Sequence, residues 1–562
     1  MQRNTAALAD GTFDLLVIGG GAFGAAAARD AAMRGLKVAM VERSDFGAGA
    51  SAECFKMVHG GIRYIQHLDV RRVRSSARER GAFLRIAPHL VTPLPIAIPT
   101  YGYGRSGKFF LGAGMYLYDL MTFDRNHDIP DRTRQIPFSR FLSRQDVLNH
   151  FPDVAAKSLT GAAVFDDGQM YNPPRLVLAF VKTAVELGAV VCNYAEATGF
   201  LREGQRVIGA RVRDRLTGDE FDVRAKLTLN AAGPGAEYLL EGRSEFGSWK
   251  RGHFSRDAYF VVDRKPTSQY ALAVQGQTRD KDAVLGRAAR HLFVVPWRQH
   301  TLIGVWHRLF PQHPDKAYIE EEELAAWLQE INDSYPSLAL KRDDVIYANC
   351  GLVPFGNDDT NTTPGEMSFG HESRYVDHRK THGIEGLVTL IGIRYTTARG
   401  DASRALDMLL SQLPNAPRDQ GTDSVPLAGG KIDNFAAFSA AAEKLRPAQV
   451  RASSWQALLR NHGTQYTQVL QHIDGDGAAC IADSDTLVAE VAHAVANEMA
   501  MKLDDVVLRR TDLGSGNHPG ERIVTAAAAC MQKFLKWDDR KRDAEAQATL
   551  RTLSNHHATT RA

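Results

Sequence analysis

The chain has 562 residues, too many for one ordinary hydrophobic core, so we expect two or three domains. Its composition, 44% hydrophobic and 24% charged with a net charge of only +3, is that of a globular protein and gives no reason to expect a nucleic-acid partner. Five scattered cysteines without a C-x-x-C pair argue against a zinc site and a disulfide framework, so we expect no metal and a reducing cytoplasm.

The first elements of the chain form a βαβ unit. Residues 13–18 (FDLLVI) are a short apolar run, typical of a strand that is buried on both faces. The glycine-rich GGGAFG follows at once and leads into an Ala-rich helix that ends at Gly35. A second apolar strand, LKVAMVE, ends in Glu42. This order is expected of a doubly wound α/β domain.

The loop between the first strand and its helix carries Gly-x-Gly-x-x-Gly at Gly19, Gly21 and Gly24. The first glycine permits a tight turn, the second lets the backbone approach a pyrophosphate, and the third lets helix and strand pack closely. The helix N-terminus offers N–H groups to phosphates, and Glu42 can accept hydrogen bonds from a ribose hydroxyl. The motif predicts a dinucleotide site without choosing between NAD and FAD.

Two distant segments favour FAD. In residues 228–235 (TLNAAGPG) a strand is followed by a small-residue turn at Ala232 and Gly233, where the chain can pass close to a cofactor; an ordinary strand-turn-helix is the alternative. In residues 389–400 a strand feeds a helix, and a cation with the helix N-terminus can stabilise charge on a reduced flavin. A simple N-cap by a threonine is the alternative. The candidates in this segment are Gly392, Arg394, Thr396 and Thr397.

The rest of the chain divides near residue 413. The stretch 414–430 is rich in turn residues and indicates a domain boundary. Beyond it, helical patterns predominate to about residue 553, and we expect the polar tail 554–562 to be disordered. Residues 107–121 combine a basic start with aromatic and aliphatic side chains, which suits either a membrane surface or a buried helix. No stretch reaches the roughly 18 apolar residues of a spanning helix.

The passage 44–67 (SDFGAGASAECFKMVHGGIRYIQH) resembles the one that follows the glycine loop in FAD-dependent glycerol-3-phosphate dehydrogenases. Further matches follow in the family's order along nearly the whole chain, including LNAAGPG, FVVPW and LDDVVLRRT, the last typical of the family's helical C-terminal domain. On these motifs the chain is identified as a member of that family. The shared pattern is a lysine, two apolar residues and His-Gly-Gly-x-Arg-Tyr, here Lys56, His59, Gly60, Gly61, Arg63 and Tyr64.

The resemblance implies an α/β fold with three parts: a Rossmann-like FAD-binding domain, an inserted antiparallel β-rich substrate domain and a C-terminal α-helical domain. We place the oxidoreductase region at 1–415, its insertion around 75–155 and 240–350, and the helical domain at 416–553. FAD is the implied cofactor. Besides the motifs above, the resemblance implies that FAD is held by Arg43, Ser51 and Lys56.

The resemblance also implies the chemistry. A small-molecule secondary alcohol loses a hydride to flavin N5 while a base takes the hydroxyl proton, and the electrons pass to a quinone or to another acceptor such as oxygen. Arg63 and Tyr64 orient the substrate, in preference to a surface arginine and a core tyrosine. His59 is either the base or a partner of the flavin edge. Tyr259 takes the approximate place of a family histidine, as proton acceptor or as core filler. Arg394 completes the catalytic candidates.

Several positions depart from the family where the substrate phosphate is held. The family's Gly-Val-Arg-Pro reads Gly-Leu-Val-Pro here, and Val353 cannot replace a charge-assisted contact to phosphate. The family's Gly-Thr-Thr-Asp reads Gly-Val-Trp-His here. Its last two residues, Trp306 and His307, either line the substrate pocket or are ordinary packing residues. Arg374 is the candidate for a further phosphate-binding arginine. We hypothesise a retained flavin site and a rebuilt pocket. A phosphate site at a different angle would need a cation from elsewhere: Lys56, Arg298, Arg308 or Arg374.

Three functions are weighed. The first is dehydrogenation of glycerol 3-phosphate itself. The second is oxidation of another hydroxyl or amine substrate in a biosynthetic pathway, which the rebuilt pocket favours. The third is a non-catalytic, flavin-binding scaffold subunit, against which the retained Arg63, Tyr64 and Arg394 weigh. A membrane surface and a second copy of the chain, in a homodimer, are left open as partners. We expect a cytoplasmic protein, peripheral on the inner face of the membrane if that surface contact forms.

Overall fold

The computed structural model of the protein describes the chain except for residues 68, 103–106, 153, 248, 250, 281–288, 355–365, 368–371 and 557–562. Two β-sheets organise the described residues. In chain order the strands are β1 (Thr12–Ile18), β2 (Val38–Val41), β3 (Met57–Val58), β4 (Val91–Tyr101), β5 (Arg140–Ser143), β6 (Leu159–Met170), β7 (Val190–Cys192), β8 (Ala195–Glu203), β9 (Arg206–Asp214), β10 (Glu220–Asn230), β11 (Phe254–Val262), β12 (Ala271–Asp280), β13 (Ala289–Trp297), β14 (His300–Phe310), β15 (Val345–Pro354), β16 (Glu366–Met367), β17 (Arg374–Asp377) and β18 (Leu387–Ile391).

The helices lie between and around these strands. In chain order they are α1 (Thr5–Ala9), α2 (Ala22–Met33), α3 (Val70–Ile86), α4 (Lys108–Met121), α5 (Arg144–His150), α6 (Pro173–Glu186), α7 (Glu321–Ser334), α8 (His378–His382), α9 (Ala398–Leu410), α10 (Phe435–Glu443), α11 (Ala452–His462), α12 (Tyr466–Leu470), α13 (Val488–Asn497), α14 (Glu521–Leu535) and α15 (Asp539–His556). None of the described helices is both long and apolar enough to cross a membrane.

The first sheet has the strand order β17-β18-β10-β1-β2-β7. Strands β18, β10, β1, β2 and β7 pair in parallel, so their carboxyl ends meet at one edge. Residues of β1 alternate between two cores, which explains its unbroken apolar sequence. Leu15 and Val17 pack with helices α2, α6 and α9, whereas Leu16 and Ile18 pack with β8 and β9 on the other face. We call this sheet with its helices the first-sheet domain.

The second sheet has the order β15-β11-β14-β13-β12-β4-β6-β3, with β5 beside β6 and β16 beside β12. Most neighbouring strands are antiparallel, as the sequence predicts, but β4 and β16 each pair in parallel with β12. Helix α7 covers one face. The other face packs against Phe55 and Met57 of the segment that links the two domains. We call this sheet with α7 the second-sheet domain.

Helices α10 to α15 form the C-terminal domain around two small cores. Two predicted limits differ from the structure. The second sheet includes β6 to Met170, β15 to Pro354 and β16, all beyond the predicted 75–155 and 240–350, because these strands complete its hydrogen bonding. Residues 554–556, the first three of the predicted disordered tail, belong to α15, which continues to His556; residues 557–562 lie outside the described chain.

Candidate active site

The glycine loop leaves no room for side chains. Gly19 has φ +107°, and a Cβ on it would lie 2.5 Å from the carbonyl oxygen of Ala231. A Cβ on Gly24 would lie 1.9 Å from the carbonyl oxygen of Gly19. The turn that follows β10 therefore lies directly beside the glycine loop. The N–H of Ala231 in this turn donates to the carbonyl of Ile18 at 2.8 Å. In that turn, Ala232 precedes Gly233, which has φ +56°.

The start of α2 fits a pyrophosphate. Gly21 occupies the N-cap position and supplies no side-chain cap to the N–H groups at the positive end of the helix dipole. The N–H of Ala22 donates to the Ser51 Oγ at 3.0 Å, which brings Ser51 to this helix end. Glycines at the close approaches and a polar helix N-terminus are what the phosphates of FAD require.

Glu42 fixes the shape of the loop. Its carboxylate accepts hydrogen bonds from the N–H of Gly20 at 2.6 Å and of Ser44 at 2.8 Å. Burial raises the pKa of Glu42 above its ordinary value, although these two N–H groups oppose the shift. Arg43 pairs with Asp315 at 2.5 Å in the second-sheet domain. The roles of Glu42 and Arg43 toward a nucleotide stay predictions.

The turn after β18 meets the same edge of the first sheet. A Cβ on Gly392 would lie 2.0 Å from Phe23 Cζ in the glycine loop, so these two segments touch. Thr396 Oγ1 accepts from the N–H of His59 at 2.9 Å. Thr397 is the N-cap residue of α9, but its hydroxyl donates to Asp401 at 2.7 Å and caps no N–H group. The threonines thus tie the turn to its neighbours, and the simple N-cap alternative does not describe them.

Arg394 lies beside Arg63 and Tyr64, the pair predicted to orient the substrate. The guanidinium carbon of Arg394 lies 5.1 Å from the centre of the Tyr64 ring, and that of Arg63 lies 5.7 Å from it. Burial alone would raise the pKa of the Tyr64 hydroxyl, but the positive charges of Arg394 and Arg63 lower it below its ordinary value. Arg394 also donates to the Ser76 Oγ at 3.0 Å. The guanidinium carbon of Arg72 lies 4.7 Å from the same ring, so the structure brings together three cations around one phenol.

His59 lies beside a buried carboxylate. Its Nδ1 is 3.3 Å from Oδ2 of Asp167, whose Oδ1 accepts from the N–H of Gly60 at 2.5 Å and from Arg80 at 2.9 Å. Half of the His59 side chain is exposed, whereas Asp167 is buried. Asp167 is a site residue that the sequence reasoning missed. Two adjacent acids, Asp166 and Asp167, within an apolar strand were the available signal.

Tyr259 has the surroundings of a core residue. It is 1% exposed, its ring packs against Phe55 at 5.4 Å, and its hydroxyl accepts from Asn349 Nδ2 at 3.2 Å. Burial raises the pKa of Tyr259 well above its ordinary value. A phenol held neutral in this way is a poor proton acceptor, so the packing interpretation is favoured.

Lys56 is buried without a carboxylate partner among the described residues. It adopts φ +59°, and its Nζ lies 4.8 Å from the centre of the Trp297 ring and 5.5 Å from that of Tyr259. Burial lowers the pKa of Lys56 to about 8. Lys56 lines a cavity of about 130 Å³ at the junction of the three domains, shared with Asn349 and Arg509.

Trp306, for which the sequence leaves pocket lining and ordinary packing open, is packed between other aromatic rings. Its ring stacks between Phe260 at 5.3 Å and Trp327 at 5.1 Å, and its Nε1 donates to Glu330 at 2.8 Å. This places Trp306 on the face of the second sheet that α7 covers. The surroundings of Trp306 favour the packing alternative; the side chains of a strand alternate between faces, and the sequence did not reveal which face was covered.

Three of the four cations considered for a displaced phosphate site already pair with carboxylates. Arg298 pairs with Asp512 at 2.7 Å and Arg374 with Glu237 at 3.0 Å, while Arg308 pairs with Glu323. Val353 lies in register with Ser255 across β11 and β15. His307 Nδ1 lies 2.7 Å from Asp257 Oδ1, a second histidine–carboxylate pair whose acid the sequence reasoning also missed.

The fold and this edge define a nucleotide-binding α/β oxidoreductase with an inserted sheet. Residues 14–390 match the family model described as FAD dependent oxidoreductase, and residues 420–542 match that of the C-terminal domain of alpha-glycerophosphate oxidase. The chain belongs to the family of FAD-dependent oxidoreductases, in its glycerol-3-phosphate dehydrogenase branch. FAD is its cofactor, as the sequence predicts, and the predicted fold class is confirmed.

The similar proteins are alike along nearly the whole chain. The mitochondrial glycerol-3-phosphate dehydrogenase of Homo sapiens is 30% identical over 96% of this chain and 73% of its own length. The glycerol-3-phosphate dehydrogenase of Synechocystis is 28% identical over 97% of both chains. The structure of glycerol-3-phosphate dehydrogenase from Bacillus halodurans with FAD superposes with a TM-score of 0.74 at 22% identity, covering 99% of this chain and 97% of that one, which shows a shared fold.

Proposed function

We propose that the protein oxidises a small alcohol at the carboxyl edge of the first sheet, with His59 as proton acceptor and with Arg63, Tyr64 and Arg394 orienting the substrate. FAD, when bound, supplies the hydride acceptor. The observation that carries the proposal is the His59–Asp167 pair, together with the group formed by Arg63, Tyr64 and Arg394. A neutral imidazole that donates its Nδ1–H to Asp167 keeps the basic lone pair on Nε2, where it can take a hydroxyl proton.

The residues that hold Asp167 and His59 in place support this assignment. Arg80 is fully buried and holds Asp167 at 2.9 Å, so the carboxylate keeps its orientation toward His59. Thr396 holds the backbone of His59 from the turn after β18. The catalytic histidine is therefore fixed by both the second sheet and the first-sheet domain, while its ring stays half exposed to a substrate.

The test is anaerobic reduction of the bound flavin by added alcohols. We expect His59→Gln to keep its FAD but to slow flavin reduction about 100-fold or more, and Asp167→Asn to slow it less. The matched control is His127→Gln, because His127 is an exposed histidine with 76% of its side chain accessible. Wild-type reduction rates in His59→Gln would remove His59 from this role. Flavin that dithionite reduces and no alcohol or amine does would favour the scaffold function instead.

We propose further that α4 contacts a membrane and that the electrons leave to a quinone there. Phe109, Tyr116, Leu120 and Phe123, on α4 and just after it, are each at least 70% exposed. Arg74 of the basic helix α3 donates to the carbonyl of Met121 at 2.7 Å and pairs with Asp124 at 2.8 Å, and its guanidinium carbon lies 5.8 Å from the Phe123 ring beside this apolar surface. Aromatic residues next to arginines suit an interfacial helix on anionic lipid. The cytoplasmic location and the homodimer stay predictions.

Co-sedimentation with phosphatidylglycerol vesicles tests the membrane contact. We expect Leu120→Glu with Phe123→Glu to abolish it, and Leu445→Glu, at a 64% exposed position in the C-terminal domain, to leave it intact. Hydrogen peroxide release at the full turnover rate without quinone would show that oxygen is the acceptor.

A further inference from the structure

A buried tyrosine of α4 reaches the segment that carries His59. The Tyr118 hydroxyl donates to the carbonyl oxygen of Gly60 at 3.1 Å, and the N–H of the same Gly60 donates to Asp167 Oδ1 at 2.5 Å. A Cβ on Gly60 would lie 2.3 Å from the Tyr118 hydroxyl oxygen and 2.0 Å from Arg80 Nη1. The residue that follows His59 is therefore held through both its N–H and its carbonyl, with no room for a side chain.

Arg80 joins this tyrosine to the carboxylate beside His59. Its Nη1 donates to the Tyr118 hydroxyl at 3.1 Å, to Asp167 Oδ1 at 2.9 Å and to the carbonyl of Asp166 at 2.7 Å. Because this nitrogen carries two hydrogens, three acceptors share them. The Nε and Nη2 of Arg80 have no hydrogen-bond partner among the described residues. Tyr118 thus competes with Asp167 for the same two N–H groups.

The chain of contacts is shielded from water up to its last member. Arg80 is fully buried and Tyr118 and Asp167 are each 2% exposed, whereas half of the His59 side chain is accessible. Burial raises the pKa of Tyr118, although the charge of Arg80 opposes the shift, so the hydroxyl keeps its proton and can donate to Gly60. Hydrogen bonds in a buried network influence one another more strongly than they do in water. We therefore expect a change at Tyr118 to reach Asp167.

The other charged groups near this chain of contacts have partners of their own. Asp166 pairs with Arg140 at 2.6 Å, and Asp119 of α4 pairs with Arg125 at 3.1 Å. Among the described residues, the Tyr118 hydroxyl has no hydrogen-bond partner beyond the two already named. Its removal therefore changes two hydrogen bonds and leaves these ion pairs in place. Further along the His59 segment, three cations flank Tyr64: Arg63, Arg72 and Arg394.

We propose that Tyr118 is a positioning residue that acts on His59 through the carboxylate of Asp167. It takes up part of the hydrogen-bonding capacity of Arg80, which leaves the Asp167 carboxylate freer to attract a proton on the His59 ring. It also fixes the peptide that follows His59. The inference rests on the proposed function for the role of His59 as proton acceptor. Helix α4, whose outer face carries the exposed aromatic side chains, thereby contributes its inner face to the catalytic site.

The first measurement is a nuclear magnetic resonance titration of the FAD-loaded protein with isotope-labelled histidine rings. The signal that is missing in His59→Gln identifies His59. Tyr118→Phe keeps the ring that packs in one apolar cluster with Ile65 and Val73 and loses only the hydroxyl. Its arginine partner then bonds the Asp167 carboxylate more fully. We therefore expect the His59 signal to titrate about half a pH unit lower than in wild type.

The second measurement is anaerobic flavin reduction by glycerol 3-phosphate and by glycerol. We expect Tyr118→Phe to slow the reduction step about tenfold and to keep the half-saturating alcohol concentration within about twofold, because a positioning residue acts on the reacting step. The acidic limb of the pH–rate profile should move to lower pH, as the titration does. In the His59→Gln background, Tyr118→Phe should cause no further loss, whereas a merely structural effect would add to the first.

The matched control is Tyr171→Phe. It also removes a hydroxyl hydrogen bond, which Tyr171 donates to Asp512 at 2.7 Å, and it should match wild type in both measurements. An unshifted His59 titration in Tyr118→Phe, or a rate loss that adds to that of His59→Gln, would overturn the inference. Wild-type reduction rates in His59→Gln, together with a shifted titration in Tyr118→Phe, would refute the proposed function and sustain the coupling between Tyr118 and His59.

Discussion

Asp45 and Arg510 form a fully buried, two-pronged ion pair that joins the first-sheet domain to the C-terminal domain. Arg510 Nη1 donates to Asp45 Oδ2 at 2.7 Å and Nη2 to Oδ1 at 2.8 Å, and Arg509 adds a third bond at 2.7 Å. Burial alone would raise the pKa of Asp45, but the two guanidiniums hold it well below its ordinary value. The Asp45 carboxylate thus holds the first-sheet domain to the C-terminal domain, although the paired residues are far apart in the chain.

Asp45→Asn should lower the free energy of unfolding by about 3–5 kcal/mol, because it leaves the buried guanidinium of Arg510 with an uncharged partner, whereas Arg509 keeps its pair with Asp505 at 2.7 Å. Urea unfolding at neutral pH measures this. Asp222→Asn removes an exposed pair with Arg211 and should cost less than about 1 kcal/mol. Because the folded pKa of Asp45 is depressed, its contribution is present above the ordinary pKa of aspartate and is lost as the pH falls below it. Equal losses of unfolding free energy in the two variants would show that the buried ion pair of Asp45 stabilises the protein no more than the exposed pair of Asp222 does.

Gly24→Ala should prevent the protein from binding FAD. Its new Cβ would lie 1.9 Å from the carbonyl oxygen of Gly19, so the loop and α2 must separate where the pyrophosphate is expected. The measurement is the FAD content of the purified protein. Gly114→Ala in α4 is the control, because a Cβ there meets nothing within 4 Å and alanine favours the helix. Full FAD content in Gly24→Ala would show that the loop does not hold the cofactor.

The sequence predicts the parts of this site that local patterns encode. The βαβ unit, the glycine spacing and the turn after β18 are each contained in a short window, and the structure brings them to one sheet edge. The pairing of β4 with β12 joins strands about 170 residues apart, and no local period reports it. The Asp257–His307 pair depends on the register of β11 with β14, and the position of Trp306 depends on which face α7 covers. The strand pairing, the register and the covered face are set by tertiary packing, which a short window of sequence does not reveal.

Glu53 should make the protein less stable as the pH rises through the weakly acidic range. Burial raises the pKa of Glu53 from 4.5 to about 7, and no described cation pairs with it. Between those values the folded protein holds a proton that the unfolded chain has lost, so stability falls with rising pH, by up to about 3 kcal/mol. Glu53→Gln should reduce this slope and be the more stable form above about pH 7; part of the slope remains, because burial also raises the pKa of Glu490 to about 8.

Urea unfolding of both proteins at about pH 5 and about pH 7.5 provides the comparison. Lys56, whose pKa burial lowers to about 8, titrates above this window and does not obscure it. Glu203→Gln, at an exposed position of β8, should keep the wild-type slope. A slope as steep in Glu53→Gln as in wild type would show that Glu53 does not contribute to it.

Arg394→Met should lower the reduction potential of the bound flavin and slow its reduction about 100-fold. Arg394→Lys should keep a potential and a reduction rate close to those of wild type. The sequence places this cation toward the part of the flavin that gains negative charge, and the structure sets it 5.1 Å from the Tyr64 ring. Arg394→Met should also raise the pKa of Tyr64, because Arg394 is the first of the charges that lower it. The potential is measured by dye equilibration and the phenol by its ultraviolet titration. A raised Tyr64 pKa with an unchanged potential would leave Arg394 near the phenol but away from the flavin, and would move the stabilising charge to the N-terminus of α9.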